Sequence, residues 1–122
     1  GCMGAVNRGT KDAGGHVVAV IHEIFLVDKE EFEGADEILV ATGDGLAERK
    51  RMLIEGADAL LVLPGGLGTW DEMWESCAEV GLGFLDIPIV CVNVDGFYSP
   101  FEAMMQRANN EGILHKPADV LL

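Results

Sequence analysis

Basic residues are scarce in this chain of 122 residues. Eight Lys and Arg stand against 21 Asp and Glu, so the formal net charge is −13 at pH 7. Nucleic-acid binding needs a basic surface to neutralise phosphates, and this balance argues against nucleic acid as the main partner. The basic residues are also unevenly placed: three are consecutive, at 49–51, and none lies between 52 and 106. A small anionic substrate would therefore have one obvious place to bind.

Cysteine and long apolar runs are scarce too. Cys2, Cys77 and Cys91 are widely spaced, form no Cys-x-x-Cys pair, and share no metal-ligand spacing with the three His. We therefore expect free thiols in a reducing, cytoplasmic compartment, and no metal. The longest apolar segments have the length of strands, so we expect no membrane partner.

The chain does contain an apolar run that leads into a glycine-rich segment, LPGGLGTWDE at 63–72. The run 60–63 is too short for a helix and is bounded by turn residues, which predicts a buried strand. Three glycines follow, and they allow a sharp turn and the close approach of a ligand. They are Gly65, Gly66 and Gly68.

A helix is predicted directly after these glycines. Thr69 is its candidate N-cap, which would place Asp71 and Glu72 in the first turn. A strand, a glycine loop and a helix N-terminus together present N–H groups to an anion, most often a phosphate. The segment differs from the dinucleotide fingerprint and lacks the Gly-Lys-Ser/Thr of nucleotide-triphosphate loops. A tight turn without a ligand is the alternative.

Strands and helices alternate along the chain with short connections. This order predicts an α/β three-layer fold with a mainly parallel sheet, in which ligands bind beyond the carboxyl ends of the strands. Strands are expected at 16–21, 37–41, 60–63, 87–94 and from 119, and helices at 1–14, 46–56, after 69, and at 99–111.

Two of the predicted helices carry charge where apolar residues are expected. In helix 46–56 the inward stripe contains Leu46, Arg49, Lys50 and Leu53. Burying an unpaired charge costs several kcal/mol, so the two basic side chains must be paired or line a polar cleft. The alternative is that they reach the rim as solvated charges.

In the helix after the glycines, Glu72 is the one charged residue on a face that is otherwise apolar or small. That face comprises Thr69, Glu72, Met73, Ser76, Cys77 and Val80. Trp70 and Trp74 form an aromatic stripe on an adjacent face. The stripe indicates either a partner interface or packing against elements of the same chain.

These features together predict a phosphorylated small molecule as the ligand. No Ser or Cys stands beside a His as an activated nucleophile, so acyl transfer has no candidate residues. A carboxylate beside a cation can stabilise a developing oxocarbenium ion and orient a water, as in glycoside cleavage. The expected substrate is a nucleoside monophosphate, with its ribose C1′ near Glu72, and no cofactor is expected.

Four segments resemble the LOG family, in the family's order. PGGLGTWDE, from Pro64, matches the signature Pro-Gly-Gly-x-Gly-Thr-x-x-Glu, and Arg49-Lys50 resembles the Arg-Lys element. GCMG at 1–4 is similar to Gly-Leu-Met-Gly, and NVDGFY at 93–98 is similar to a later Asn-Val-Asp-Gly-aromatic-Tyr turn. The resemblance covers nearly the whole chain.

The resemblance implies a Rossmann-like fold and a phosphoribohydrolase, which cleaves N6-substituted adenosine 5′-monophosphates to the free cytokinin base and ribose 5-phosphate. It implies Glu72 and Arg49 as the catalytic pair. The implied substrate-binding residues are Lys50, Gly65, Gly66, Leu67, Gly68, Thr69, Met3, Gly4, Glu31 and Glu75.

The resemblance also implies a homodimer with active sites at the subunit interface. The family has a strand, a helix and another strand before this point, so we expect one domain over 1–122 that is incomplete at its N-terminus. Leu46, Cys2, Ala78 and Trp70 depart from the family's usual residues. These departures leave open whether plain AMP or a cytokinin nucleotide is the substrate.

Two other functions remain as alternatives. Relatives of this fold carry molybdenum cofactor, so a carrier that binds a phosphorylated ligand without turnover is the first. Amino-acid decarboxylation is the second, and it requires a lysine in a pyridoxal site. Lys50 is the only lysine near the predicted cleft.

Overall fold

The computed structural model describes residues 1–26 and 34–121. Glu31, one of the implied substrate-binding residues, therefore lies outside the described residues. The chain divides into two compact units, Gly1–Glu55 and Gly56–Leu122. The expectation of one domain over 1–122 stays a prediction.

The first unit contains a parallel pair of strands with helices before and after it. In this pair Val18 lies opposite Glu37, and His22 lies opposite Ala41. Val20, Ile21 and Ala41 are buried, as the β-branched and apolar sequence predicts. The elements are α1 (Cys2–Asp12), β1 (Val18–His22), a 3₁₀ turn (Glu23–Phe25), β2 (Glu37–Ala41) and α2 (Ala47–Ile54).

Asp36 ties three segments of this unit together. One carboxylate oxygen accepts a hydrogen bond from the Val17 backbone N–H at 2.8 Å, and the other pairs with Lys11 in the last turn of α1. His16 Nδ1 lies 3.7 Å from the same carboxylate. The hydrogen bond from Lys11, followed by that from Val17, lowers the pKa of Asp36 below its usual value of 3.8.

The second unit also contains a parallel pair of strands, with Leu60 opposite Ile89 and Val62 opposite Cys91. Its elements are β3 (Leu60–Val62), α3 (Leu67–Leu82), β4 (Ile89–Cys91), a 3₁₀ turn (Val94–Gly96), α4 (Ser99–Asn110) and α5 (Ala118–Leu121). One apolar core joins them, formed by Val62, Met73, Cys77, Val80, Ile89, Tyr98, Met105 and Ala118.

These elements confirm an α/β fold with parallel strands. The prediction that a strand starts at 119 is wrong, because the structure has the short helix α5 there. Pro117 directly before α5 suits the start of a helix and cannot donate to a strand ladder. Ala118 packs into the core, and Lys116 Nζ donates a hydrogen bond to the Val80 carbonyl at 2.7 Å.

The two tryptophans of α3 pack within their own unit. The ring centroids of Trp70 and Trp74 each lie 5.5 Å from that of Phe101 on α4. Both are half-buried against the core. The second of the two explanations, packing inside the chain, is the one that the structure gives.

Among residues 1–26 and 34–121, no helix has the length and apolar character needed to cross a bilayer.

Replacing Asp36 with Asn should destabilise the chain at neutral pH but not in acid. The folded-state pKa of Asp36 is lowered, so its contribution is present above the unfolded value of 3.8 and is lost as pH falls through the folded value. Urea unfolding of both proteins between pH 3 and pH 7 measures the difference. A gap of constant size across this range would contradict the assignment.

Candidate functional site

The glycine loop forms the start of α3, although not where the sequence predicts it. Gly66 is the N-cap, in an extended conformation with φ −104° and ψ −155°, and no side chain caps the helix. The prediction of Thr69 as N-cap is therefore wrong: Thr69 is the third residue of the helix. Asp71 consequently lies in the second turn, as does Glu72, and the first turn has no acidic residue.

This helix start is suited to an anion. The N–H groups of Leu67, Gly68 and Thr69 precede the first intrahelical bond, which runs from the Trp70 N–H to the Gly66 carbonyl at 3.0 Å. The positive end of the dipole of a 16-residue helix lies at the same place. Because the acids begin in the second turn, no carboxylate in the first turn competes with an incoming phosphate.

Gly65 must be glycine for a reason that the structure makes explicit. A Cβ built on Gly65 would lie 2.9 Å from Thr69 Cβ, and closer still to Thr69 Oγ1. The threonine side chain thus occupies the space beside the loop backbone. By contrast, a Cβ on Gly66 or Gly68 would meet no atom within 4 Å. Above these two glycines the backbone is open to a ligand.

The inward face of α3 is confirmed. Met73, Ser76, Cys77 and Val80 are buried, and Glu72 is half-buried beside them. The Ser76 hydroxyl donates a hydrogen bond to the backbone carbonyl of Glu72 at 2.8 Å, so the polar member of this face is satisfied within the helix. Glu75 is also half-buried, whereas Asp71 is exposed.

The segment 93–98 holds the glycine loop in place. The only tyrosine of the chain, Tyr98, is 2 % exposed, and its hydroxyl donates a hydrogen bond to the Leu63 carbonyl at 2.6 Å. Asn93 Oδ1 accepts the Tyr98 N–H at 2.7 Å, and Asn93 Nδ2 donates to Ser99 Oγ at 3.0 Å. Sequence reasoning predicted a turn at Asp95 and Gly96 in this segment but missed the tether.

A positive-φ turn brings Tyr98 to that position. Asp95 has φ +50° and Gly96 has φ +77°, which confirms the turn predicted at these two residues. Asp95 is the one non-glycine residue with positive φ in the described part of the chain. Burial raises the pKa of the Tyr98 phenol above its usual value of 10, so the hydroxyl remains a donor at neutral pH.

Arg49 and Lys50 lie on α2, in the first unit, and both are half-buried. Arg49 Nε donates a hydrogen bond to the Val20 carbonyl of β1 at 3.2 Å, so the guanidinium is held against the strand. The rest of the predicted stripe is wrong, because Leu46 and Leu53 are exposed. The helix instead half-buries residues 49, 50, 52 and 54.

The remaining predicted site residues near the N-terminus lie in the first turn of α1. Met3 is mostly exposed, and Gly4 is half-buried. A Cβ on Gly4 would lie 3.3 Å from Arg8 Nη1, which is the end of a flexible side chain. The helix itself was predicted correctly, including its end before Gly14, which has φ +76°.

The three cysteines lie in different environments. None of the three cysteines forms a disulfide; Cys2 is exposed, whereas Cys77 is buried. Burial raises the pKa of Cys77 to about 11 and raises that of Cys91 as well. Residues 1–26 and 34–121 contain no group of three or more His, Cys, Asp or Glu placed to hold a metal.

A cavity of about 550 Å³ lies elsewhere in the second unit, along β4. Its lining includes Val90 of the strand, Glu102 and Gln106 of α4, and Asp119 of α5. None of the predicted catalytic or substrate-binding residues lines it. The glycine loop is therefore separate from this cavity.

Replacing Gly65 with Ala should destabilise the protein by about 2 kcal/mol, because the new methyl group overlaps Thr69. Thr69→Ala in the Gly65→Ala background should recover part of that loss, because it removes Oγ1 and Cγ2 but leaves the Cβ that would lie 2.9 Å away. Urea unfolding of the single and double variants gives the coupling free energy. Gly68→Ala is the matched control and should not destabilise. Additive effects at positions 65 and 69 would contradict the contact.

The thiols should differ in reactivity as their burial differs. In the native protein at pH 8, a disulfide reagent should modify Cys2 rapidly. It should modify Cys77 slowly, because a thiol with a pKa near 11 is about 0.1 % thiolate at that pH. The absorbance of the thiol released from the reagent, measured before and after addition of denaturant, gives the number of cysteines that react in the native protein and the number that react only after unfolding. Rapid native modification of Cys77 would show that its site is open.

Comparison with known proteins gives a consistent result. Residues 3–122 match the profile of a family described as "Possible lysine decarboxylase". Relatives include the cytokinin riboside 5′-monophosphate phosphoribohydrolase LOG of Oryza sativa subsp. japonica, 36 % identical over 97 % of this chain and 48 % of that protein. The Arabidopsis thaliana enzyme LOG5 is also 36 % identical, over 97 % of this chain and 50 % of its own length.

A bacterial protein matches as well. The cytokinin riboside 5′-monophosphate phosphoribohydrolase of Mycobacterium tuberculosis (strain ATCC 25618 / H37Rv) is 34 % identical over 95 % of this chain and 61 % of that protein. The chain thus spans about half the length of the plant relatives it matches. Since the family profile and these identities cover nearly every residue given, the chain belongs to the LOG family.

Proposed function

We propose that this protein hydrolyses the N-glycosidic bond of an adenosine 5′-monophosphate and releases the free base and ribose 5-phosphate. The observation that carries the proposal is the start of α3, where three backbone N–H groups and an open glycine loop precede a half-buried carboxylate. Relatives named phosphoribohydrolases support it over nearly the whole chain.

The phosphate is assigned to the glycine loop. Its oxygens would accept hydrogen bonds from the N–H groups of Leu67, Gly68 and Thr69, assisted by the helix dipole. The Thr69 side chain packs against Gly65, whereas the open space at Gly66 allows a ligand to approach the backbone closely. Because these contacts come from backbone atoms, they bind a phosphate without requiring a basic side chain in this stretch.

Glu72 is assigned to the chemical step. It follows Thr69 by three residues, so the two side chains share one face of the helix. As the C1′–N9 bond breaks, positive charge develops on the ribose, and a carboxylate stabilises it. The same carboxylate accepts a proton from the attacking water. The water oxygen forms the new bond to C1′, and the bonding electrons leave with the base.

Arg49 is assigned as the second catalytic residue because it matches the family's Arg-Lys element. Its Nε donates a hydrogen bond to the Val20 carbonyl, so β1 orients the guanidinium. A held cation can stabilise negative charge that develops on the departing base or on the substrate phosphate, at no further cost in side-chain ordering. Lys50, the next residue on the half-buried side of α2, is assigned to substrate binding.

The substrate base and the assembly belong to the same proposal. Trp70 replaces the family's usual smaller residue, and in the structure it packs against Phe101. We therefore expect activity on plain AMP as well as on N6-substituted nucleotides. A cytoplasmic homodimer without a metal or cofactor completes the proposal, and light scattering of the intact protein measures the oligomer.

The function is tested by incubating the intact protein with AMP and with isopentenyladenosine 5′-monophosphate, and by separating the base and ribose 5-phosphate by chromatography. Base release is expected from at least one substrate. Glu72→Gln should lower kcat by about 100-fold or more, since it removes the carboxylate that activates the water. Arg49→Ala should cause a loss of similar order.

Two controls match these variants in charge and position. Glu79→Gln removes a half-buried carboxylate from the same helix. Arg51→Ala removes a cation from α2 that is 62 % exposed and pairs with Glu55. Both should keep kcat within about twofold, as surface changes do. Full activity of Glu72→Gln would overturn the assignment, and a nucleotide retained without base release would favour the carrier.

A further inference from the structure

A buried histidine lies at the end of β1 and has no part in the proposed chemistry. His22 is 2 % exposed, and both of its ring nitrogens are used. Nε2 lies 3.1 Å from the Gly43 carbonyl oxygen, and the Ile24 backbone N–H lies 3.3 Å from Nδ1. A buried imidazole with two backbone partners at opposite ends of its ring connects two separate stretches of chain.

The two partners determine which nitrogen carries the proton. The Gly43 carbonyl can only accept, so Nε2 must donate, and the Ile24 N–H can only donate, so Nδ1 must accept. His22 is therefore a neutral imidazole with its proton on Nε2. The bond to Ile24 is local and caps the 3₁₀ turn Glu23–Phe25, whereas the bond to Gly43 spans 21 residues.

The longer bond reaches the loop that leads into α2. Gly43 has φ +113° and lies between the end of β2 and the helix that carries Arg49. The same loop is held from the other side, because the Thr42 N–H donates to Glu48 Oε2 at 3.2 Å. Strand β1 thus contacts this region twice, through His22 at the loop and through the Val20 carbonyl at Arg49 Nε.

We propose that His22 is a positioning residue for Arg49: its Nε2–H fixes the Gly43 loop on β1, and this sets where α2 begins and where the guanidinium is held. The inference rests on the proposed role of Arg49. Only residues of the first unit carry it. A shift of the helix start would move Arg49 relative to Val20, and displacements of about 1 Å at a catalytic group can cost 100-fold in rate.

Two substitutions separate the two bonds of His22. Gln places an amide N–H₂ near the position of Nε2 and can still donate to the Gly43 carbonyl. Asn is too short to reach Gly43, but its oxygen accepts an N–H two residues on, as in an Asx turn, and keeps the Ile24 bond. His16→Gln is the control, because His16 is 64 % exposed and its ion pairs are with the carboxylates of Asp36 and Glu37.

Base release by the intact protein is measured for the three variants, and kcat and KM are determined per folded molecule. His22→Asn should lower kcat about tenfold or more with KM changed less than twofold. His22→Gln should keep kcat within about threefold of the wild type, and His16→Gln should match it. If His22 had a merely structural role, both His22 variants would have a lower midpoint of unfolding, and their kcat values per folded molecule would be the same.

A second measurement does not depend on catalysis. Amide hydrogen exchange at residues 42–50 should be faster in His22→Asn than in His22→Gln, because only Asn releases the loop. If Asn retains kcat and slow exchange while Gln does not, the inference is wrong, and His22 serves the 3₁₀ turn alone. If the wild type releases no base, the proposed function fails, and hydrogen exchange alone decides whether His22 holds the entry of α2.

Discussion

The hydrogen bond from the Tyr98 hydroxyl to the Leu63 carbonyl is the constraint on which the glycine loop depends. Strand β3 ends at Val62, so the carbonyl beyond it needs a donor from outside the strand ladder. Tyr98 supplies that donor from a buried position at 2.6 Å, and Asn93 fixes the tyrosine backbone. Two residues that lie 35 positions apart in the sequence are thus joined, and this bond ties the loop before α3 to the residue before α4.

The same kind of interaction recurs wherever the proposed chemistry needs precision. Bonds between side chains and backbone atoms hold these segments: Asp36 holds Val17, His22 holds Gly43, and Arg49 is itself held by Val20. A bond to the backbone fixes a segment whatever its side chains are.

Much of the fold and of the candidate site could be predicted from the sequence, wherever one simple pattern determines the local structure. The bounds of β2 and the buried face of α3 follow from periodicity, and the turn at Asp95 follows from its residues. The N-cap at Gly66 could not be predicted, because an extended glycine leaves no side-chain signal, whereas Thr69 offers a false one. His22 ends an apolar run, and only the three-dimensional structure shows that Gly43 lies within its reach. The half-buried side of α2 differs from the predicted stripe. Met52 and Ile54 are half-buried there, whereas Leu46 and Leu53 are exposed.

Because Tyr98 is the single tyrosine of the chain, its hydrogen bond to the Leu63 carbonyl can be followed by ultraviolet absorbance. A phenol that is hydrogen-bonded to a carbonyl can ionise only when that bond is given up, and burial already raises the pKa of Tyr98 above 10. With no second tyrosine in this chain, the ultraviolet absorbance of phenolate in an alkaline titration comes from this one group. The spectrum of the unlabelled chain therefore reports whether the glycine loop is anchored, and the native protein contains its own probe of the site.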